Sequence, residues 1–246
     1  MPITYLVNLT ATPRSNKANL HIGALLTMVA GALNAGGFLA VGQYTSHMTG
    51  MVSTLADQLV LGNMEFAIVA VVSWLSFVMG AATTAILVNN RMRSGWRNVY
   101  ALPLLIEAAC ILLFGSFGNT LGTREFADVS LAVIVLCFAM GLQNALITKI
   151  SRAEIRTTHV TGLTTDLGIE IGKLVYWNYS HATDHAPAVM ANRGKLKVHA
   201  LLIFTFLLGG LLGALGFKYL GFVSTVPLAM ILGFIALAPL FDQAKD

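Results

Sequence analysis

Gly31-Ala-Leu-Asn34-Ala35, followed by His47-Met-Thr49-Gly50, recurs about 110 residues later as Gly141-Leu-Gln-Asn144-Ala145, followed by His159-Val-Thr161-Gly162. In each copy the first block sits inside a long apolar run. The second block opens a shorter, polar-studded stretch, and two more apolar runs follow it. Pro103 and Pro227 also correspond, each near the start of the third run of its half. Three long runs per half is an odd number. If every run crosses a bilayer, the second half enters upside down relative to the first, an inverted-topology repeat of the kind that places a transport site near the membrane midplane.

Composition agrees with a membrane setting. Of 246 residues, 56% are apolar and 11% charged, with a mean hydropathy of +0.74, against roughly 25% charged residues in soluble domains. An ordinary soluble protein is excluded. A charge-poor run of about 20 residues, rising 1.5 Å per residue as helix, crosses a hydrocarbon core of ~30 Å. Six runs qualify, over residues 22–44, 66–88, 99–117, 129–148, 198–217 and 220–240, while 49–61 and 161–177 are short enough to be re-entrant or interfacial helices. The expected fold is an all-α integral membrane protein with six transmembrane helices, arranged as two inverted three-span repeats that each carry one such short helix. The chain divides into a cytoplasmic N-terminal segment (1–20), the two repeats (21–120 and 121–241) and a cytoplasmic tail (242–246). With six spans, only Arg124 and Lys218 of the 15 basic residues fall on the side opposite the N-terminus. The positive-inside rule then puts both termini in the cytoplasm. If both short stretches crossed, Arg91, Arg93, Arg97, Lys149, Arg152 and Arg156 would move outside.

Other functions find little support. The pI is about 9.2, but the basic residues are scattered through loops, with no aromatic-interleaved basic stretch for nucleic acid. Cys110 and Cys137 lie in apolar runs and imply no disulfide. The apolar run over 3–7 has neither a basic flank nor a cleavage site, so it is not a secretory signal. The sequons at Asn8 and Asn178 read as chance matches on the cytoplasmic side. His181, Asp184 and His185 read as a solvated loop rather than a metal site, and His47 and His159 are not paired for haem. Ser46, His47 and Asp57 lack a nucleophile elbow, and there is no P-loop, dinucleotide fingerprint or CxxC motif. No catalytic residue, metal or cofactor is expected.

The residues able to carry chemistry cluster in the repeat. Each His-x-Thr-Gly block reads as a helix start with Thr as N-cap, offering unpaired N–H groups and a partial positive charge to an anion. Asp57 and Asp166 lie one to two turns further on, and Ser53, Thr54, Thr164 and Thr165 add hydroxyls. The candidate substrate-binding residues are Asn34, His47, Thr49 and Asp57 in one half, with Asn144, His159, Thr161, Thr165 and Asp166 in the other. The two blocks are expected to converge on one site with imperfect symmetry. Glu107, inside the third run, is either a proton relay or a buried hydrogen-bonding group, since an ionisable residue there costs ~2.5 to 3.5 kcal/mol on insertion scales. Gly209-x-x-x-Gly213, and Gly80 with Thr84, offer small surfaces for close helix contact. Pro103 and Pro227 are expected to interrupt backbone hydrogen bonds.

Residues 141–146 (Gly-Leu-Gln-Asn-Ala-Leu), 156–168 (Arg-Thr-Thr-His-Val-Thr-Gly-Leu-Thr-Thr-Asp-Leu-Gly) and 46–50 (Ser-His-Met-Thr-Gly) closely resemble the YoaK-like family of bacterial multi-span membrane proteins, a domain of unknown function. The resemblance implies a bacterial inner-membrane location and supplies no substrate or catalytic residue. Asn34 stands where the family often carries an acid. The combined reading is a secondary transporter or channel for a small solute, anions included, working without ATP. A membrane-embedded enzyme acting on a lipid or isoprenoid-like substrate and a non-catalytic scaffold are the alternatives. The expected partners are the lipid bilayer and the solute, not nucleic acid, and self-association as a homo-oligomer is left open.

Overall fold

The computed structural model describes residues 2–12, 15–117, 126–151, 157–176 and 189–243, which are helical with no strand among them. The helices are α1 (Pro2–Thr10), α2 (Asn16–Val41), α3 (Met48–Val60), α4 (Met64–Arg93), α5 (Ala101–Ser116), α6 (Phe126–Ser151), α7 (Val160–Val175), α8 (Arg193–Leu220) and α9 (Thr225–Gln243). Four stretches are long and apolar enough to cross a membrane: Asn16–Val41, Met64–Arg93, Val129–Ser151 and Arg193–Leu240. The last holds two helices, because α8 ends at Gly221, whose φ of 61° begins a short 3-10 turn before α9. α5 is a shorter apolar helix.

α2 and α6 form the centre. Over their most apolar windows 56% and 67% of residues are buried, against 22% for α4 and for the α8–α9 stretch. The outer helices instead expose apolar stripes, Ile68, Leu75, Met79 and Ile86 on α4 and Phe204, Leu208, Leu211 and Leu215 on α8. Such continuous apolar surface suits lipid tails and not water.

Each central helix is clasped by one outer helix through glycine. A Cβ on Gly31 would strike the Phe206 carbonyl, and one on Gly209 the Met28 carbonyl, so α2 and α8 touch backbone to backbone. Gly141 meets the Phe77 carbonyl and Gly80 the Phe138 carbonyl in the same way, joining α6 to α4. The two sets correspond residue for residue: 28 and 31 with 138 and 141, and 77 and 80 with 206 and 209. The small-residue pairs also match, since Gly213 abuts the Ala32 backbone while Thr84 donates to Leu142 O at 3.0 Å. α5 and α9 pack against each other.

Two expectations, on the prolines and on the start of α8, are corrected. Pro103 and Pro227 are the third residues of α5 and α9. In the first turn an N–H has no intrahelical acceptor, so they begin helices and interrupt nothing. α8 starts at Arg193, five residues before the apolar run, because the Asn192 side chain caps it by accepting from Lys195 N–H at 3.1 Å. The N-terminal segment is folded: Val7, Leu9 and Ala11 are buried, α1 packs on α9, and Tyr100 N–H and Thr12 N–H bond to Thr10 O and Arg97 O.

Candidate functional site

After α2 the chain turns back on itself. Gly42 takes the left-handed conformation (φ 75°), Tyr44 stacks on Phe38 with ring centroids 4.4 Å apart, and Asn34 Oδ1 accepts from Ser46 Oγ at 2.8 Å and Ser46 N–H at 3.3 Å. Asn34 lies seven residues before the end of α2, about 10 Å along its axis. The second half repeats the device. Asn144, also seven residues before the end of its helix, accepts through Oδ1 from Thr158 Oγ1 at 2.7 Å and Thr157 Oγ1 at 3.5 Å. Both short helices therefore begin beside the interior of the preceding long helix, not at its end.

Fixing Ser46 and Thr158 sets the helix register. His47 and His159, the next residues, are the N-caps of α3 and α7, and neither side chain caps the helix. Thr49 and Thr161 are thus second helical residues, which corrects their expected role as caps. The first-turn N–H groups of both helices lack an acceptor in their own helix. Gly50 is needed for His47, since a Cβ there would collide with the imidazole, whereas Gly162 faces open space.

The two starts meet. A pocket of about 350 Å³ is lined by Asn34, Tyr44, Ser46 and His47 from the first half and by Thr158, Val160, Thr161 and Phe206 from the second. Phe206 sits midway along α8. None of these lining residues is acidic. Of the residues expected to bind substrate, Asn34, His47 and Thr161 share this pocket, while Asn144 stands behind Thr158 and holds it. Thr49 and Asp57 are exposed on α3, Thr165 Oγ1 donates to Thr161 O at 2.9 Å, and neither His159 nor Asp166 lines the pocket. Ser46, Thr158, Tyr44 and Phe206 are additions. Ser46 and Thr158 directly precede the repeated histidines, so the repeat itself could have pointed to them.

Glu107 lies apart, fully buried on α5, where Gln143 Nε2 donates to its Oε1 at 2.7 Å. Glu107 Oε2 and Gln143 Oε1 are buried without a hydrogen-bond partner. Gln143 adjoins Asn144, so the carboxyl is one residue removed from the group that holds Thr158. Among the described residues no cluster of metal-binding side chains occurs. His181, Asp184 and His185 lie outside the described residues.

A larger cavity of about 940 Å³ opens at the other end of α7, where α2 and α8 begin, and Asp166, Glu170, Lys173, Lys17, Lys195 and His199 are on its walls. The Lys173 ammonium, 2.8 Å away, and the Asn192 N–H hold the Glu170 carboxyl below the usual carboxylate range. This contact ties α7 to the start of α8.

A family model described as "Protein of unknown function (DUF1275)" matches residues 22–238. The UPF0700 transmembrane protein YoaK of Bacillus subtilis (strain 168) is 24% identical over 219 residues, covering 88% of this chain and 92% of the relative. No solved structure matches.

Proposed function

The chain belongs to the family described as protein of unknown function (DUF1275), and we propose that it is a secondary transporter or channel for a small anion, built as two inverted three-span repeats. In this reading α2, α4, α5, α6, α8 and α9 span the bacterial inner membrane with both termini cytoplasmic. The repeats occupy 21–120 and 121–241, and α3 and α7 are half-helices that start within the membrane and run outward to opposite faces. One observation carries the proposal: both short helices begin at the same pocket, level with the middle of α8. The duplicated glycine contacts between α2 and α8 and between α6 and α4 support the repeat.

Two helix N-termini facing one pocket place two partial positive charges there, and no lining carboxylate opposes them. Thr161 supplies a hydroxyl donor and His47 an imidazole, while Ser46 and Thr158, whose single O–H groups go to Asn34 and Asn144, fix the loops that aim the two helix starts. Phe206 and Tyr44 form the apolar wall. A pocket of this size takes a small solute. Glu107, bonded to Gln143, the chain neighbour of Asn144, is the group that would carry a proton in coupled transport.

The test is efflux from liposomes containing the purified protein, with chloride, nitrate, formate and phosphate as probes. At least one anion should leave faster than from protein-free liposomes, and Ser46→Ala and Thr161→Val should each slow that same anion. Normal flux in both variants, or no flux of any probe in the wild type, contradicts the assignment.

A further inference from the structure

We propose that the 940 Å³ cavity where α2 and α8 begin is a second binding site, one that takes a phosphate group carried on a small hydroxylated molecule. It shares no lining residue with the pocket between the half-helices, so it does not depend on the role given to that pocket.

The first observation is the convergence of two helix starts. Ser15 Oγ caps α2 through Ala18 N–H, and Asn192 Oδ1 caps α8 through Lys195 N–H. The N–H groups of Asn16, Lys17, Arg193 and Gly194 are left without an acceptor in their own helices. Asn16, Lys17 and Gly194 all line the cavity. Gly194 presents no side chain there, which opens the end of α8 to close approach by an anion.

The second observation is independent of the helix ends. His199, one turn further along α8, is more than nine-tenths buried, lines the cavity, and has an Nδ1 with no hydrogen-bond partner. Asn19 Oδ1, on the α2 wall, is likewise buried and unpartnered. Buried polar atoms are expected to be satisfied, and such an orphan beside a cavity points to a missing ligand.

Charge selects the ligand. Lys17 and Lys195 bring two ammonium groups to the same cavity. Lys173 is engaged with Glu170, whose other oxygen accepts from Asn192 N–H, so that acid is already satisfied. Asp166 is the remaining carboxylate on the wall. A bare anion would leave Asp166 opposed, whereas a phosphate ester bearing hydroxyls would place its phosphate at the helix ends and a donor toward Asp166. The cavity is far larger than a phosphate ion and has room for the rest of such a molecule. The same phosphate and hydroxyl chemistry is offered by a soluble ester and by the headgroup of phosphatidylglycerol.

The experiment measures thermal unfolding of the purified full chain. One arm adds glycerol 3-phosphate to protein in neutral detergent, with chloride at matched ionic strength as the control. The other arm compares phosphatidylcholine nanodiscs with and without phosphatidylglycerol. At least one arm should raise the midpoint, and Lys17→Gln and Lys195→Gln, both at exposed positions, should each weaken that ligand by roughly tenfold or more, as expected for a lost charge-assisted bond. Thr161→Val should leave the effect intact. A shift in the first arm identifies a soluble ester, and a shift in the second alone a lipid headgroup. No shift in either arm, a shift unchanged in the lysine variants, or a shift abolished by Thr161→Val overturns the proposal.

Discussion

Asn34 and Asn144 each give Oδ1 to the loop that follows their helix, and this single contact decides where α3 and α7 start. The repeat made both asparagines visible in the sequence, but as ligands. In the fold their Oδ1 atoms accept from Ser46 and Thr158, so each asparagine fixes the loop that follows its helix. The threonines were misplaced for the same reason: a long-range contact sets the helix register, and local capping preference carries no information about it. Asn144→Ala should lower stability by about 1–3 kcal/mol, because Thr158 and the buried Thr157 lose their acceptor, and a thermal unfolding series checks it. Glu107 tests a second buried contact. Glu107→Gln keeps shape and hydrogen-bonding capacity and should leave the midpoint nearly unchanged. Glu107→Leu strands the Gln143 amide and should cost about 1–3 kcal/mol.

Among the helices, the six charge-poor runs each fall on one of α2, α4, α5, α6, α8 and α9, with ends within about six residues of the helix ends, because apolarity is a property of local composition. The start of α8 was hidden, since the basic stretch from Arg193 to Lys197 reads as loop until the Asn192 cap is seen. Which helix pairs with which was not legible either, as both glycine surfaces are equally small. The contacts make them distinguishable from ordinary glycines. Gly31→Ala and Gly141→Ala force a methyl into a facing carbonyl and should each destabilise by about 1–3 kcal/mol, the usual cost of overpacking. Gly233→Ala, on α9 with open space around it, should be neutral or stabilising by up to about 1 kcal/mol through helix propensity. Glu170 provides a pH signature. A carboxyl with a depressed folded-state pKa contributes stability that is complete above its ordinary value of 4.5 and fades as pH falls below it toward the lower folded value. The midpoint of the wild type should therefore fall more steeply on acidification through that range than the midpoint of Glu170→Gln.

For the molecule as a whole, the duplicated motif led to the expectation that the two blocks converge, and His47 and Thr161 do line one pocket, while the distance each loop folds back is set by long-range contacts that composition does not encode. The proposed site between the half-helices rests on α3 and α7 returning to the face from which they entered. Single cysteines at the exposed positions Asn63, Ser94 and Tyr219, in a background lacking Cys110 and Cys137, report this directly through an impermeant thiol reagent applied to intact cells. With re-entrant half-helices and cytoplasmic termini, Asn63 and Tyr219 label from outside and Ser94 does not. Labelling of Ser94 together with Tyr219, and protection of Asn63, would mean that the short helices cross the membrane and would contradict the shared site.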